Sequence, residues 1–106
     1  MNYKLSKELK SKMEREIRQY DYNKKKLEEL KQNGTTRQLL YIEERLYHVE
    51  TSYKRLKPNE QDIYNLIFKN NCNWLYCQTM HNIDKDTYYN VYNKSLYYLA
   101  QEWGEI

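Results

Sequence analysis

Residues 74–104 read WLYCQTMHNIDKDTYYNVYNKSLYYLAQEWG, and this stretch decides the fold. Two helical patterns lie in it, separated by a tight polar turn. The first, residues 74–80, makes about two turns, with Trp74, Cys77 and Met80 or His81 on the inward side. His81-Asn82-Ile83 then turns the chain, with Ile83 as its apolar anchor. Asp84 stands where a helix cap belongs, able to accept from the amides of Asp86 or Thr87. Tyr88, Val91, Tyr92, Ser95, Leu96, Leu99 and Trp103 give the following helix a stripe to bury, and Gly104 closes it. A two-turn helix, a tight turn and a longer helix form the layout of a helix-turn-helix reader.

Upstream, the same pattern begins at Pro58, which suits a first helical turn. Residues 59–69 place Ile63, Leu66, Ile67 and Phe68 on one side, and NNCN at 70–73 is a polar break. Before Pro58 the texture differs. Residues 5–31 carry Leu5, Leu9, Met13, Ile17, Tyr20, Leu27 and Leu30 at mostly helical spacing, interrupted at Lys24. This predicts one long amphipathic helix. Gly34, in QNGTT, is placed as a left-handed helix end. From 36 to 56, Leu39, Ile42, Leu46, Val49, Tyr53 and Leu56 recur in a short heptad seam. So narrow a stripe needs a partner. The first helix folded back and a second copy of the chain both qualify, and the sequence assigns Leu39, Ile42, Leu46, Val49 and Tyr53 to self-association in a homodimer.

The expected fold is therefore all-α: an N-terminal helical hairpin over 1–57, able to form a coiled coil, then a C-terminal helix-turn-helix bundle over 58–106. Composition agrees. The 106 residues include only two glycines and one proline, with charged residues at 31%. Apolar residues are 40%, but thirteen of them are tyrosines, so the core is modest.

Charge separates the halves. Residues 1–57 hold 15 basic and 9 acidic side chains, net +6; residues 58–106 hold 3 and 6, net −3. Affinity for nucleic acid comes mainly from cations that neutralise phosphates. The reader half is poor in them. Arg15, Arg18, Lys24, Lys25, Lys26 and Lys31 in the other half are candidates to supply backbone contacts.

With its stripe buried, the last helix leaves Lys85, Asp86, Tyr89, Asn90, Asn93 and Lys94 outside over its first three turns. Asparagine pairs bidentately with adenine; lysine binds guanine or phosphate; tyrosine reaches phosphate or the thymine methyl. The DNA-binding set expected from sequence is Lys85, Thr87, Tyr89, Asn90, Asn93 and Lys94.

At these residues the chain resembles small phage-encoded transcriptional regulators of the RinA/ArpU type, themselves similar to region four of primary sigma factors. The resemblance spans roughly residues 15–104. It rests on Leu56, Pro58 and Glu60, on IYNLIF, on the Ile83-Asp84 turn before TYYNVYNKSLYYLA, and on LAQEWG at 99–104. It implies a transcription regulator of late or packaging genes, acting on double-stranded promoter DNA, with RNA polymerase as a candidate partner.

Other classes find less support. No glycine-rich phosphate loop, nucleophile elbow or His-Glu metal motif is present, so no catalytic residues are expected. Cys72, Cys77 and His81 lack a fourth ligand and a standard spacing, so no metal or other cofactor is expected either. The N-terminus is charged throughout and the longest apolar run is LYYLA, so the expected location is the cytoplasm, away from membranes. The competing class is an all-helical protein-interaction module that docks on RNA polymerase or a host factor through exposed tyrosines.

Overall fold

The computed structural model describes residues 3–106, and the described chain is all-helical. Its helices are α1 (Lys7–Arg18), α2 (Tyr20–Asn33), α3 (Thr36–Lys54), α4 (Pro58–Tyr64), α5 (Trp74–His81) and α6 (Lys85–Glu102). A π-helical turn, Asn65–Lys69, continues α4.

The predicted first helix is two. It breaks at Gln19 (φ −87°, ψ 1°), between α1 and α2. The break re-phases the stripe: Tyr20, Asn23, Leu27 and Leu30 now share a side, and Asn23 takes the position that Lys24 interrupts. Asn23 is buried there at 3% exposure, which a purely apolar reading misses. Arg45 of α3 holds the joint. Its Nε and Nη2 donate to the two carboxylate oxygens of Glu16 at 3.0 and 2.9 Å, and Nη2 also donates to Gln19 Oε1 at 3.0 Å. Such a two-point pair fixes orientation as well as distance.

Gly34 also departs from expectation. Its backbone is extended (φ −92°, ψ 167°), not left-handed. Glycine is required for space: a Cβ at Gly34 would stand 2.7 Å from the Leu30 carbonyl oxygen. Thr35 then caps α3 in a capping box. Its hydroxyl accepts from the Gln38 amide at 3.2 Å, and Gln38 Oε1 accepts from the Thr35 amide at 3.0 Å. Gly104 is left-handed (φ 74°), as its position after α6 predicts.

The heptad seam is filled within the chain. Ile42, Leu46 and Val49 are 5–7% exposed, and α3 packs on α2 and α6. Leu39 and Tyr53 are half-buried at its ends. Within one chain, α3 meets α2 across the short Gly34 connection and α6 on its other side, so the centre of the seam is covered without a second copy.

Nor does the core divide at residues 57/58. Met13, Ile17, Val49 and Leu56 pack in one cluster with Ile63, Tyr64, Ile67, Phe68, Val91, Leu96, Leu99 and Ala100. Its centre is α6, where Leu96, Leu99 and Ala100 have no exposed surface. Helices α1, α3, α4 and α5 all pack on α6.

Ion pairs and rings fasten this arrangement at the C-terminal end of α6. Arg55 reaches Glu102 at 3.3 Å and Gln101 at 2.7 Å, with its guanidinium 4.0 Å from the Tyr98 ring centre. Tyr3 packs edge-on against Tyr97 and Tyr98, with ring centres 5.4 and 6.0 Å apart. The N-terminal lead-in therefore covers the outer face of the second half of α6. No helix among the described residues is long and apolar enough to cross a membrane.

Candidate nucleic-acid interface

The turn between α5 and α6 is built by asparagine. Asn82 is left-handed (φ 54°, ψ 38°), and the Ile83 amide behind it donates back to the Cys77 carbonyl at 3.2 Å. Asparagine tolerates this region better than other side chains with a Cβ, because its short amide bonds locally. The break before α5 uses the same device: Asn71 is left-handed (φ 54°), and the Cys72 amide donates to the Leu66 carbonyl at 2.9 Å. Asn73 then caps α5 by accepting from the Tyr76 amide at 2.8 Å.

Asp84 caps α6, accepting from the Thr87 amide at 2.6 Å. Hydrogen bonds from the Thr87 side chain and amide hold its carboxyl below the usual range. The cap fixes where the helix begins and keeps an anion at its positive end.

The first turns of α6 stand clear of the body. Lys85, Asp86, Thr87, Tyr89 and Asn90 are exposed, and Asn93 is half-buried. The base of the helix is clamped. The Tyr88 hydroxyl donates to the Cys72 carbonyl at 2.9 Å, and the Tyr92 hydroxyl donates to Glu14 of α1 at 3.0 Å. Burial and the Glu14 carboxylate push the Tyr92 phenol up to about 12. These two tyrosines explain part of the tyrosine richness: each buries a ring under α6 and spends its hydroxyl on a neighbouring element.

Two lysines differ in placement. The Lys85 ammonium lies 4.6 Å from the Trp74 ring centre, which parks it beside the start of α5. Lys94 is not on the open face. Its ammonium is 2.8 Å from Glu60 of α4, with only 13% of the lysine side chain and 10% of the glutamate exposed. Helical angle alone puts Lys94 on the outer side of α6. Glu60 is the reason it fails: one of its oxygens closes the first turn of α4 on the Lys57 amide at 2.9 Å, and the other takes Lys94. Burial opposes the charge on Glu60, but the Lys94 and Lys57 bonds outweigh it and leave the carboxyl below its ordinary value. The bond to Glu60 raises Lys94 correspondingly, against its own burial.

Arg18 is the basic side chain from the N-terminal half that reaches this edge. It donates to Asn71 Oδ1 at 2.5 Å and to Glu14 at 3.1 Å, with its guanidinium 5.5 Å from the Phe68 ring centre. Lys24–Lys26, by contrast, lie on α2, which packs mainly on α3.

The sequence also misassigned the outer side of α5. Met80 and His81 point outward, and Leu75, Tyr76 and Met80 are 56%, 48% and 63% exposed. Only Trp74 and Cys77 pack inward. Helix α5 has apolar residues on every side, so periodicity gave no signal for which side would be covered. Burial raises the Cys77 thiol, so it stays protonated and unreactive at neutral pH. Comparisons with protein-family models, with curated proteins and with solved structures returned no match to this chain.

Proposed function

We propose that the chain is a transcription regulator that reads double-stranded DNA with the first two turns of α6. The observation that carries this reading is the contrast along that helix. Lys85, Asp86, Thr87, Tyr89 and Asn90 are open, while Tyr88 is held by the Cys72 carbonyl before α5, Tyr92 by Glu14 of α1, and the C-terminal half by α3 and α4. A rigid rod with a free leading end suits insertion into a major groove. In this reading Asn90 and Tyr89 face base edges, Thr87 and Lys85 bind phosphate, and Asn93 lies at the rim. Lys94 drops out of the contact set. A role at late-gene promoters follows the resemblance noted above.

The test is selection of binding sites from a random duplex pool, followed by anisotropy on the enriched site. Asn90→Ala should cost about 1–3 kcal/mol and relax one position of the site. No enrichment at low salt, or an Asn90→Ala variant with unchanged affinity and specificity, would sink the reading.

A second reading has its own observation. The exposed Leu75, Tyr76 and Met80 form an apolar face on α5 that suits a protein partner such as an RNA polymerase subunit. Leu75→Ser with Met80→Ser separates the two: it should abolish protein docking and leave DNA affinity intact.

A further inference from the structure

Away from the α5–α6 surface, a cleft of about 410 Å³ opens between the α1–α2 joint, the end of α3 and the turn that continues α4. That volume lies in the range of small-molecule sites. Both irregular helical points of the fold are on its walls: the break at Gln19, flanked by Arg18 and Tyr20, and the π-turn that carries Phe68 and Lys69. π-turns are retained more often at functional sites than elsewhere, because they sacrifice regular hydrogen bonding.

The lining is specific. Ile17, Val49 and Phe68 supply apolar walls. Tyr20, Tyr53 and Tyr64 bring three phenols to the same space. Tyr53 accepts from Asn65 Nδ2 at 3.3 Å, and the Tyr20 phenol is pushed up to about 12 by burial and the nearby Glu50 carboxylate. Tyr64 is different. It is 4% exposed, its ring packs between Tyr53 and Phe68 with centres 4.9 Å from each, and its hydroxyl has no hydrogen-bond partner among the described residues. The Tyr64 oxygen keeps contact with solvent, so its free O–H opens on the cleft and is available to a bound acceptor.

The charges select the sign of that acceptor. Lys54 and Lys69 stand on the lining with no carboxylate within 4.0 Å among the described residues. Arg18 on the same lining is held by Asn71 and Glu14, and with Lys54 and Lys69 it outnumbers the two acids, Asp21 and Glu50, by three to two. The donors left free around the aromatic walls are the Tyr53 and Tyr64 hydroxyls and the Lys54 and Lys69 ammonium groups.

We propose that this cleft binds a small planar aromatic acid, its ring between Phe68 and the Val49–Ile17 wall, its carboxylate accepting from the Tyr64 hydroxyl and the Lys54 and Lys69 ammonium groups. The inference does not depend on whether α6 reads DNA. It concerns a separate surface and stands or falls on ligand binding alone.

The experiment titrates the full chain with naphthalene-2-carboxylate and follows amide and methyl NMR shifts. 2-Naphthylmethanol and 2-naphthylmethylammonium serve as the neutral and cationic probes. The acid should move Val49, Ile17 and Phe68 signals and bind at least about tenfold more tightly than the ammonium, since each well-placed charge contact contributes on that order. Tyr64→Phe keeps the ring and removes the donor; it should weaken the acid about threefold to tenfold and leave the alcohol's wall contacts in place. Lys54→Gln, at an exposed position that does not build the core, should weaken the acid alone and keeps the test decisive if Tyr64→Phe perturbs packing. Equal binding of acid and ammonium, or shifts confined to other surfaces, would overturn the assignment. So would a Lys54→Gln variant that binds the acid as the parent does.

Discussion

Replacing Lys94 with methionine tests whether this lysine belongs to the fold or to a ligand surface. Methionine keeps most of the aliphatic stem and removes the charge. The structure then leaves Glu60 facing α6 with one oxygen still on the Lys57 amide and the other without its 2.8 Å partner. Removing one member of a fully buried pair costs about 3–5 kcal/mol, and an exposed pair is worth about 0–1. At 13% and 10% side-chain exposure the Lys94–Glu60 pair lies nearer the buried limit. The Lys57 amide spares Glu60 some of the penalty, while the ammonium's positions 5.6 Å from Tyr98 and 6.0 Å from Tyr3 add about 0.5 kcal/mol each. The expected loss for Lys94→Met is about 3 kcal/mol, read as a shift of the urea midpoint at unchanged slope. A cycle with Glu60→Gln should give a coupling of about 2 kcal/mol. Stability within about 0.5 kcal/mol of the parent, or additive single changes, would refute this reasoning. The pair also sets a pH signature. Glu60 is held below its ordinary value of 4.5, so its contribution is present above that pH and is lost as pH falls through the lower folded value. Lys94 is raised above 10.5, so its contribution is complete below that pH and fades as pH rises through the folded value.

Further outcomes follow from the same geometry. Leu99→Ala, at a site with no exposed surface in the middle of the core, should cost about 3–4 kcal/mol in urea unfolding. Asn82→Ala should cost about 1 kcal/mol through its left-handed backbone, whereas Asn82→Gly should be neutral or slightly stabilising; both are read from thermal melts. Tyr20 and Tyr92 should ionise late, near pH 12, in ultraviolet difference spectra, and stability should fall as pH rises from 10.0 through that range, because the unfolded phenols lose protons first. Lys85→Gln should reduce the slope of log affinity against log salt for duplex DNA by about 1, while Lys94→Met leaves that slope unchanged.

The helices of this fold were legible where stripes were long and caps had side chains. Asp84 and the polar breaks at 70–73 and 81–83 are visible in the sequence because each places an acceptor or a left-handed-tolerant residue at a helix end. The break at Gln19 was hidden, since the contacts that hold it, from Arg45 to Glu16 and Gln19, span 29 and 26 residues of sequence. The π-turn was hidden for a similar reason: its register offset shows only once Ile67 and Phe68 are seen packed. At the candidate interface, Lys85, Thr87, Tyr89 and Asn90 could be placed from helical angle alone. Lys94 could not, because its exposure depends on Glu60 of another helix. The seam of α3 was found correctly as a seam, but spacing does not distinguish a partner within the chain from one outside it.

The most direct test of the open leading end of α6 is a nitrogen–proton NMR titration of the labelled chain with duplex DNA at low salt. The account predicts shift changes concentrated at residues 85–90 and at the start of α5, with Lys94 and the 39–53 seam unmoved. Changes confined to α2 and α3, or an unchanged spectrum at saturating DNA, would contradict it.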